Sequence, residues 1–169
     1  MVDPVIRLAA PDDLPRLHPV IERAYRGDSA RAGWTHEADL LDGTRTDLTT
    51  LQAILANPAE SLLIALDGDT VIGCVEVTDR GNGLAYLGLL CIEPMLQAAG
   101  LGKRLIVAAE TLARDSFGAS LMEMTVIENR AELIAYYERR GYTRTAERRE
   151  FPIALEPPLY MTVLVKPLA

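Results

Sequence analysis

With 169 residues, 49% of them hydrophobic, the chain is long enough to bury a real core and is expected to form one domain over residues 1–169, neither disordered nor fibrous. A formal net charge of −7 argues against nucleic acid as a partner, because that binding depends on Lys and Arg neutralising phosphates. No apolar run approaches the roughly 18 residues of a membrane span, and Met1-Val2-Asp3-Pro4 lacks the basic and apolar regions of a signal peptide, so no membrane partner and a cytoplasmic location are expected.

The pattern predicts a first strand over residues 5–9, then a helix to about Tyr25, capped by Asp12 or Asp13, with Leu14, Leu17, Ile21 and Ala24 on one face. Residues 26–47 are polar and irregular, interrupted by Trp34 and Leu40-Leu41. Asp47 caps a short helix carrying Leu48, Leu51, Ile54 and Leu55, which Asn57-Pro58 stops. Strands over 61–66 and 70–78 flank the hairpin signal Asp67-Gly68-Asp69, the second alternating through Val71, Gly73, Val75 and Val77. After a turn at 79–83, a nearly continuous apolar strand covers 84–92 and is broken by Pro94. A helix from Lys103 ends near Phe117-Gly118, a strand follows over 121–126, and a helix over 131–140 is closed by Gly141. Residues 142–151 and 160–165 make a last strand pair around a proline-bearing connection. This order indicates an α+β fold: a mixed, mostly antiparallel sheet flanked by helices, with one right-handed parallel crossover around the Lys103 helix.

Cys74 and Cys91 lie in strand-like runs and read as small reduced core residues. With His18 and His36 they form no recognised zinc spacing, so no metal is expected.

The segment Gln97-Ala98-Ala99-Gly100-Leu101-Gly102 puts a glycine turn directly onto a helix start. A first helical turn leaves N–H groups without intrahelical partners at the positive end of the macrodipole, and Gly100 and Gly102 remove Cβ atoms that would block an anion there. With Ile92-Glu93-Pro94 just upstream, the order strand, Glu-Pro break, Gln-x-x-Gly-x-Gly turn and helix resembles the acyl-CoA-binding segment of the GNAT superfamily of N-acetyltransferases. Tyr137-Glu138-Arg139-Arg140-Gly141-Tyr142 is similar to the Tyr-x-x-x-Gly-Phe/Tyr ending of that family's second signature helix. The resemblance covers about residues 71–142 and extends to the order of elements.

The resemblance implies acetyl-CoA as cosubstrate, without metal. N–H groups of Ala99, Gly100, Leu101, Gly102, Lys103, Arg104 and Leu105 would cradle its pyrophosphate, with side-chain contacts from Gln97 and Lys103. Ile92, Glu93 and Pro94 would pair their backbone with the pantetheine arm as an added strand. The family's proton-donating tyrosine falls on Tyr137; a phenol of pKa ~10 is protonated at neutral pH and can donate to a thiolate. Tyr136 points about 100° away around the helix, so one of the two faces the cofactor. The family's asparagine, seven residues before the tyrosine, corresponds to Arg130, with Asn129 one residue earlier. Either Asn129 reaches the cofactor or Arg130 replaces it. Glu76, Glu93 and Glu123 are candidate bases by position.

The acceptor side would comprise residues 26–47 and 151–160, where Trp34, Asp39 and Tyr160 could meet an amine by cation–π or ionic contact. Surplus carboxylates in 26–47 would favour a cationic amine by steering. The resemblance implies acetyl transfer to a primary amine of a small molecule or peptide, by direct attack in a ternary complex. The alternative is a non-catalytic acyl-CoA-binding module of the same fold. Dimers are common in the superfamily, so a homodimer is an open possibility.

Overall fold

Strand-length apolar runs fall between helices of 3.6-residue period, and among the described residues they pair into a seven-stranded sheet of order β1-β2-β3-β4-β5-β7-β6. The computed structural model describes residues 3–25, 46–96, 100–152 and 156–168. The strands are β1 (Val5–Leu8), β2 (Glu60–Asp67), β3 (Thr70–Gly81), β4 (Leu84–Ile92), β5 (Leu121–Ile127), β6 (Thr143–Glu150) and β7 (Tyr160–Pro167). The helices are α1 (Leu14–Tyr25), α2 (Leu48–Ala56), α3 (Leu101–Phe117) and α4 (Ala131–Arg139). Every pairing is antiparallel except β4 with β5, which α3 connects.

Two buried clusters lie on opposite faces of the sheet. Leu101, Leu105, Ile106, Ala109 and Ala113 of α3, with Ile134 and Tyr137 of α4, cover Val75, Val77, Ala85, Leu87, Met122 and Met124. Leu14, Leu17, Val20 and Ile21 of α1, with Leu51 and Ile54 of α2, cover Leu62, Ile64, Val71, Cys74, Leu89 and Cys91. Cys74 and Cys91 are cross-strand partners, both buried and reduced, with Sγ atoms 3.3 Å apart.

Three local readings are corrected. The expected alternation through Val71, Gly73, Val75 and Val77 fails at its first member, because the register slips between Ala65 and Leu66 and inserts an extra residue in β3. Val71 therefore packs towards α1, whereas Val75 and Val77 pack towards α3. The turn expected at 79–83 is the two-residue Asn82-Gly83, both at positive φ (55° and 80°), so β3 runs on to Gly81. Positive φ at both central residues suits the twist of a tight hairpin.

The third concerns the start of α1. A 3₁₀ turn, Pro11–Asp13, precedes the helix, and the Asp13 carboxylate reaches back to the Ala10 N–H at 2.7 Å instead of capping forwards. It also takes both guanidinium nitrogens of Arg7, at 2.8 and 3.0 Å, and Arg16 at 2.7 Å. Asp47 does cap α2, accepting from the Thr50 N–H at 2.7 Å.

The Arg7 hydrogen bonds hold the Asp13 carboxyl far below the usual carboxylate range, assisted by the Ala10 N–H. A depressed pKa contributes stability that is present above the unfolded-state value, about 4, and is lost as pH falls towards the folded-state value. Asp13→Asn is expected to lower the unfolding free energy by about 1–2 kcal/mol at pH 7, the range for a lost cap and charge-assisted hydrogen bonds. Urea titrations of both proteins check this: the gap should narrow progressively below pH ~4.

Candidate active site

β4 and β5 pair only through Leu84↔Leu121, Ala85↔Met122 and Tyr86↔Glu123. Beyond Tyr86 the strands part, and a cavity of about 650 Å³ occupies the gap. Leu87, Leu89 and Leu90 line it from β4, Met124 to Ile127 from β5, Arg130, Leu133 and Tyr137 from the α4 side, and Glu76, Thr78 and Arg80 from β3. The cavity therefore draws its walls from both faces of the sheet.

A bulge shapes its β4 wall. The register runs Cys74↔Cys91 and then Glu76↔Gly88, leaving Leu89 and Leu90 opposite Val75 alone. Leu89 carries φ of +50°, unfavourable for a branched L-residue by roughly 1–3 kcal/mol. The bulge also changes the facing of the strand: Ala85 and Leu87 pack towards α3, Leu89 and Cys91 towards α1. The extra residue of a bulge lacks a ladder partner, and here, where β5 has already departed, the Leu90 carbonyl accepts instead from the Tyr25 hydroxyl and the Leu89 carbonyl from Cys74 Sγ at 3.3 Å.

α3 begins at Gly100, in the left-handed region at φ 84°, with no side chain capping the helix. The Arg104 N–H bonds the Gly100 carbonyl at 3.3 Å, so the N–H groups of Leu101, Gly102 and Lys103 precede the first intrahelical bond. Among the described residues nothing lies within 4 Å of where a Cβ on Gly100 would stand. At Gly102 a Cβ would lie 2.6 Å from Tyr136 Oη and 3.0 Å from Ile92 Cδ1. The Cβ position of Gly102 is thus taken by Tyr136 and Ile92, while the open side at Gly100 and the uncapped N–H groups fit a phosphate group.

The proposed cofactor residues are not placed alike. Gly100, Leu101, Gly102 and Lys103 surround the open turn, and Ile92 packs against it. The Arg104 guanidinium is turned to Asp3 and to the Pro4 carbonyl, and the Leu105 side chain is buried in the core. The Glu93 N–H bonds the Ile72 carbonyl, its carbonyl accepts from Leu96, and its carboxylate holds Arg23 with two 2.7 Å contacts. Its backbone is thus engaged within the protein, and Pro94 is buried. Gln97 and Ala99 lie outside the described residues, as do Trp34, Asp39 and the carboxylates read as a rim in 26–45.

Tyr137 and Tyr136 divide as helical geometry requires. Tyr137 is buried and faces the cavity, while the Tyr136 hydroxyl lies against Gly102. The rings meet edge to face at 5.4 Å. Burial, and secondarily Tyr136, push the Tyr137 phenol well above its ordinary value. Arg130 is buried at the cavity wall with its Nε 3.2 Å from Glu132, whereas Asn129 is exposed on the turn before α4.

Of the three carboxylates, Glu93 is held by Arg23, and Glu123 by two guanidinium contacts from Arg149 at 3.0 and 3.1 Å. Only Glu76 lines the cavity, beside Gly88 across the strand pair, with Thr78 Oγ1 3.4 Å from its Oε1. Tyr160 lies under Arg148, 3.8 Å from the ring centre.

Sequence reading passed over Arg80 and Tyr86. The Tyr86 hydroxyl meets Thr125 Oγ1 across the start of the gap, and the Arg80 guanidinium lies 4.5 Å from the centre of its ring. The Asn82-Gly83 turn alone would pair Asp79 with Tyr86; the register shifts between Asp79 and Gly81, leaving Arg80 as an extra residue of β3, and this shift pairs Thr78 with Tyr86 and puts Glu76 opposite Gly88.

The family model of the acetyltransferase (GNAT) family matches residues 21–142. Solved structures share the fold at low identity. The ribosomal-protein-S18-alanine N-acetyltransferase from Escherichia coli superposes with a TM-score of 0.75 at 15% identity, covering 99% of this chain and 95% of that one. YncA from Salmonella typhimurium, solved with its cofactor acetyl-CoA, gives 0.73 at 19%, again covering 99% and 95%. A spermidine N-acetyltransferase SpeG chimera from Vibrio cholerae and hSSAT gives 0.74 at 14%, covering 98% and 95%. No curated protein matches the chain. Sheet order, the parting of β4 from β5 and the bare start of α3 agree with the match over 21–142, and the chain belongs to the GNAT acetyltransferase family.

Proposed function

We infer that the chain, as one catalytic domain over residues 1–169, transfers an acetyl group from acetyl-CoA to a primary amine by direct attack in a ternary complex. The observation that carries this reading is the cavity through the β4–β5 gap, with the Tyr137 phenol on its α3 side and the Glu76 carboxylate on its β3 wall. Such a cavity lets donor and acceptor enter from opposite faces of the sheet and meet without a covalent enzyme intermediate.

Acetyl-CoA supplies the activated acetyl thioester. The N–H groups of Leu101, Gly102 and Lys103 hold its pyrophosphate, and the free edge of β4 up to Ile92 pairs with its arm. A backbone N–H of the Leu89–Leu90 bulge donates to the carbonyl oxygen that gains charge as the amine attacks. Glu76 takes the proton of the attacking amine, directly or through a water, and Tyr137 Oη donates to the departing sulfur. Arg130 stands where the family's asparagine would, its buried guanidinium at the arm's end of the cavity.

The test is acetyl-CoA consumption across a panel of primary amines, with melting temperature read in parallel. Turnover supports the enzyme. A rise in melting temperature without turnover would instead mark an acyl-CoA-binding module, since a ligand that binds only the folded state stabilises it. Neither response would end the reading.

Glu76→Gln is expected to lower kcat/KM at neutral pH by roughly 100-fold, the middle of the range for a lost general base. The deficit should shrink as pH rises, because the amine then deprotonates unaided. A deficit independent of pH would remove Glu76 from proton transfer.

A further inference from the structure

We propose that the acceptor is an amino acid or a close analogue, whose carboxylate is held by Arg80 while its amine approaches Glu76. This rests on the acetyl-transfer reading above and adds the chemical class of the acceptor.

Most arginines on this part of the sheet are matched to carboxylates. Arg149 is held by Glu123 and Glu147, Arg148 by Glu128, and Arg130 by Glu132. Arg80 lines the same cavity and has no carboxylate within ion-pair distance among the described residues. It is nevertheless located, because its guanidinium rests 4.5 Å from the centre of the Tyr86 ring, and Tyr86 is itself anchored by the Thr125 hydroxyl. A stacked guanidinium keeps its in-plane N–H donors available, and those donors match the two oxygens of a carboxylate. A guanidinium that rests on a ring and has no carboxylate partner among the described residues is set up for an anionic ligand.

The position relative to the reacting centre gives the second half. Glu76, Thr78 and Arg80 all line the cavity from β3, Arg80 as the extra residue where the register shifts between Asp79 and Gly81. Thr78 pairs with Tyr86 and Glu76 with Gly88, so the guanidinium over Tyr86 is about one side-chain repeat along the sheet, roughly 7 Å, from the level of Glu76 and the bulge. A negative group at one level and a positive one at the next complement an amine and a carboxylate on one small molecule. The volume of about 650 Å³ leaves room for such a molecule beside the end of the donor's arm. A polyamine would bring a second cation towards Arg80 and be disfavoured there.

The experiment compares matched pairs: each of a set of L-amino acids against its α-amide and its decarboxylated amine. Both acetylation and equilibrium binding to the CoA-loaded protein are measured. The acid should be preferred by about 10-fold or more in kcat/KM and in affinity, the scale of one charge-assisted hydrogen-bonded pair. Arg80→Gln should bring the acid down to the level of the amide, changing the amide by less than about 3-fold, with Arg80→Lys restoring part of the preference. The wild-type comparison stands alone should a variant fold poorly. Equal use of acid and amide, preference for amines without an acid group, or an equal loss for both in Arg80→Gln overturns the proposal while leaving acetyl transfer intact. Arg80-dependent binding of the acids without any turnover keeps Arg80 as the carboxylate site but overturns the acids as acceptors, together with acetyl transfer. Absence of both binding and turnover refutes the two together.

Discussion

Gly102→Glu is expected to bind acetyl-CoA at least about 100-fold more weakly than the parent chain, because two effects act at one atom. A carboxylate at the α3 start places negative charge where the pyrophosphate would lie, and like charges in contact disfavour binding by several kcal/mol. The new Cβ would also stand 2.6 Å from Tyr136 Oη and 3.0 Å from Ile92 Cδ1, so both neighbours must move. Gly102→Ala brings the crowding without the charge and should lose much less. Calorimetric titration with acetyl-CoA, alongside far-UV circular dichroism to establish that the helices persist, decides the matter. Undiminished affinity in the glutamate variant would remove the α3 start from the cofactor site.

Tyr137→Phe should lower kcat by roughly 10- to 10⁴-fold with little change in the KM for acetyl-CoA, as expected when a general acid is lost and binding is untouched. The ring still fills its buried site against Tyr136 and Tyr142, so stability should hardly change. Burial raises the pKa of this phenol, and the active form is the protonated one. Its contribution is therefore retained as pH rises through ordinary alkaline values, and the wild-type kcat profile should show no falling limb between pH 7 and about 10 from this group. Tyr136→Phe should act differently: its hydroxyl lies over Gly102, so the change appears in acetyl-CoA affinity before it appears in turnover. Reversal of these two phenotypes would exchange the roles of the tyrosines.

What could be read from the sequence was local. Gly100 and Gly102 before an apolar helix, Tyr137 four residues before Gly141, and Asp47 at a helix start each depend on neighbours within a turn or two. The parts that escaped depend on partners distant in the chain. Nothing near Glu93 reveals that Arg23 holds it, nor does anything near Glu123 point to Arg149, so three glutamates looked equivalent until the fold separated Glu76 from the others. Leu89 gave no sign of its left-handed backbone, because leucine has no preference for that region. Asn82-Gly83 announced the hairpin but not the extra residue at Arg80 that sets Thr78 opposite Tyr86, so the place of Arg80 and Tyr86 at the cavity was not legible from the turn.

The bulge at Leu89 also bears on how this chain can change in length. Flattening it with every residue kept would exchange inside for outside in everything downstream, turning Cys91 towards α3 and Ile92, which borders Gly102, towards α1; losing one residue together with the bulge would leave both facings as they are. The strand thus behaves like a frame with a single compensating insertion. A change of one residue between Leu84 and Ile92 among related chains should therefore coincide with the loss of the bulge, and other gains and losses should be absorbed at hairpin ends such as Gly68 or Asn82-Gly83.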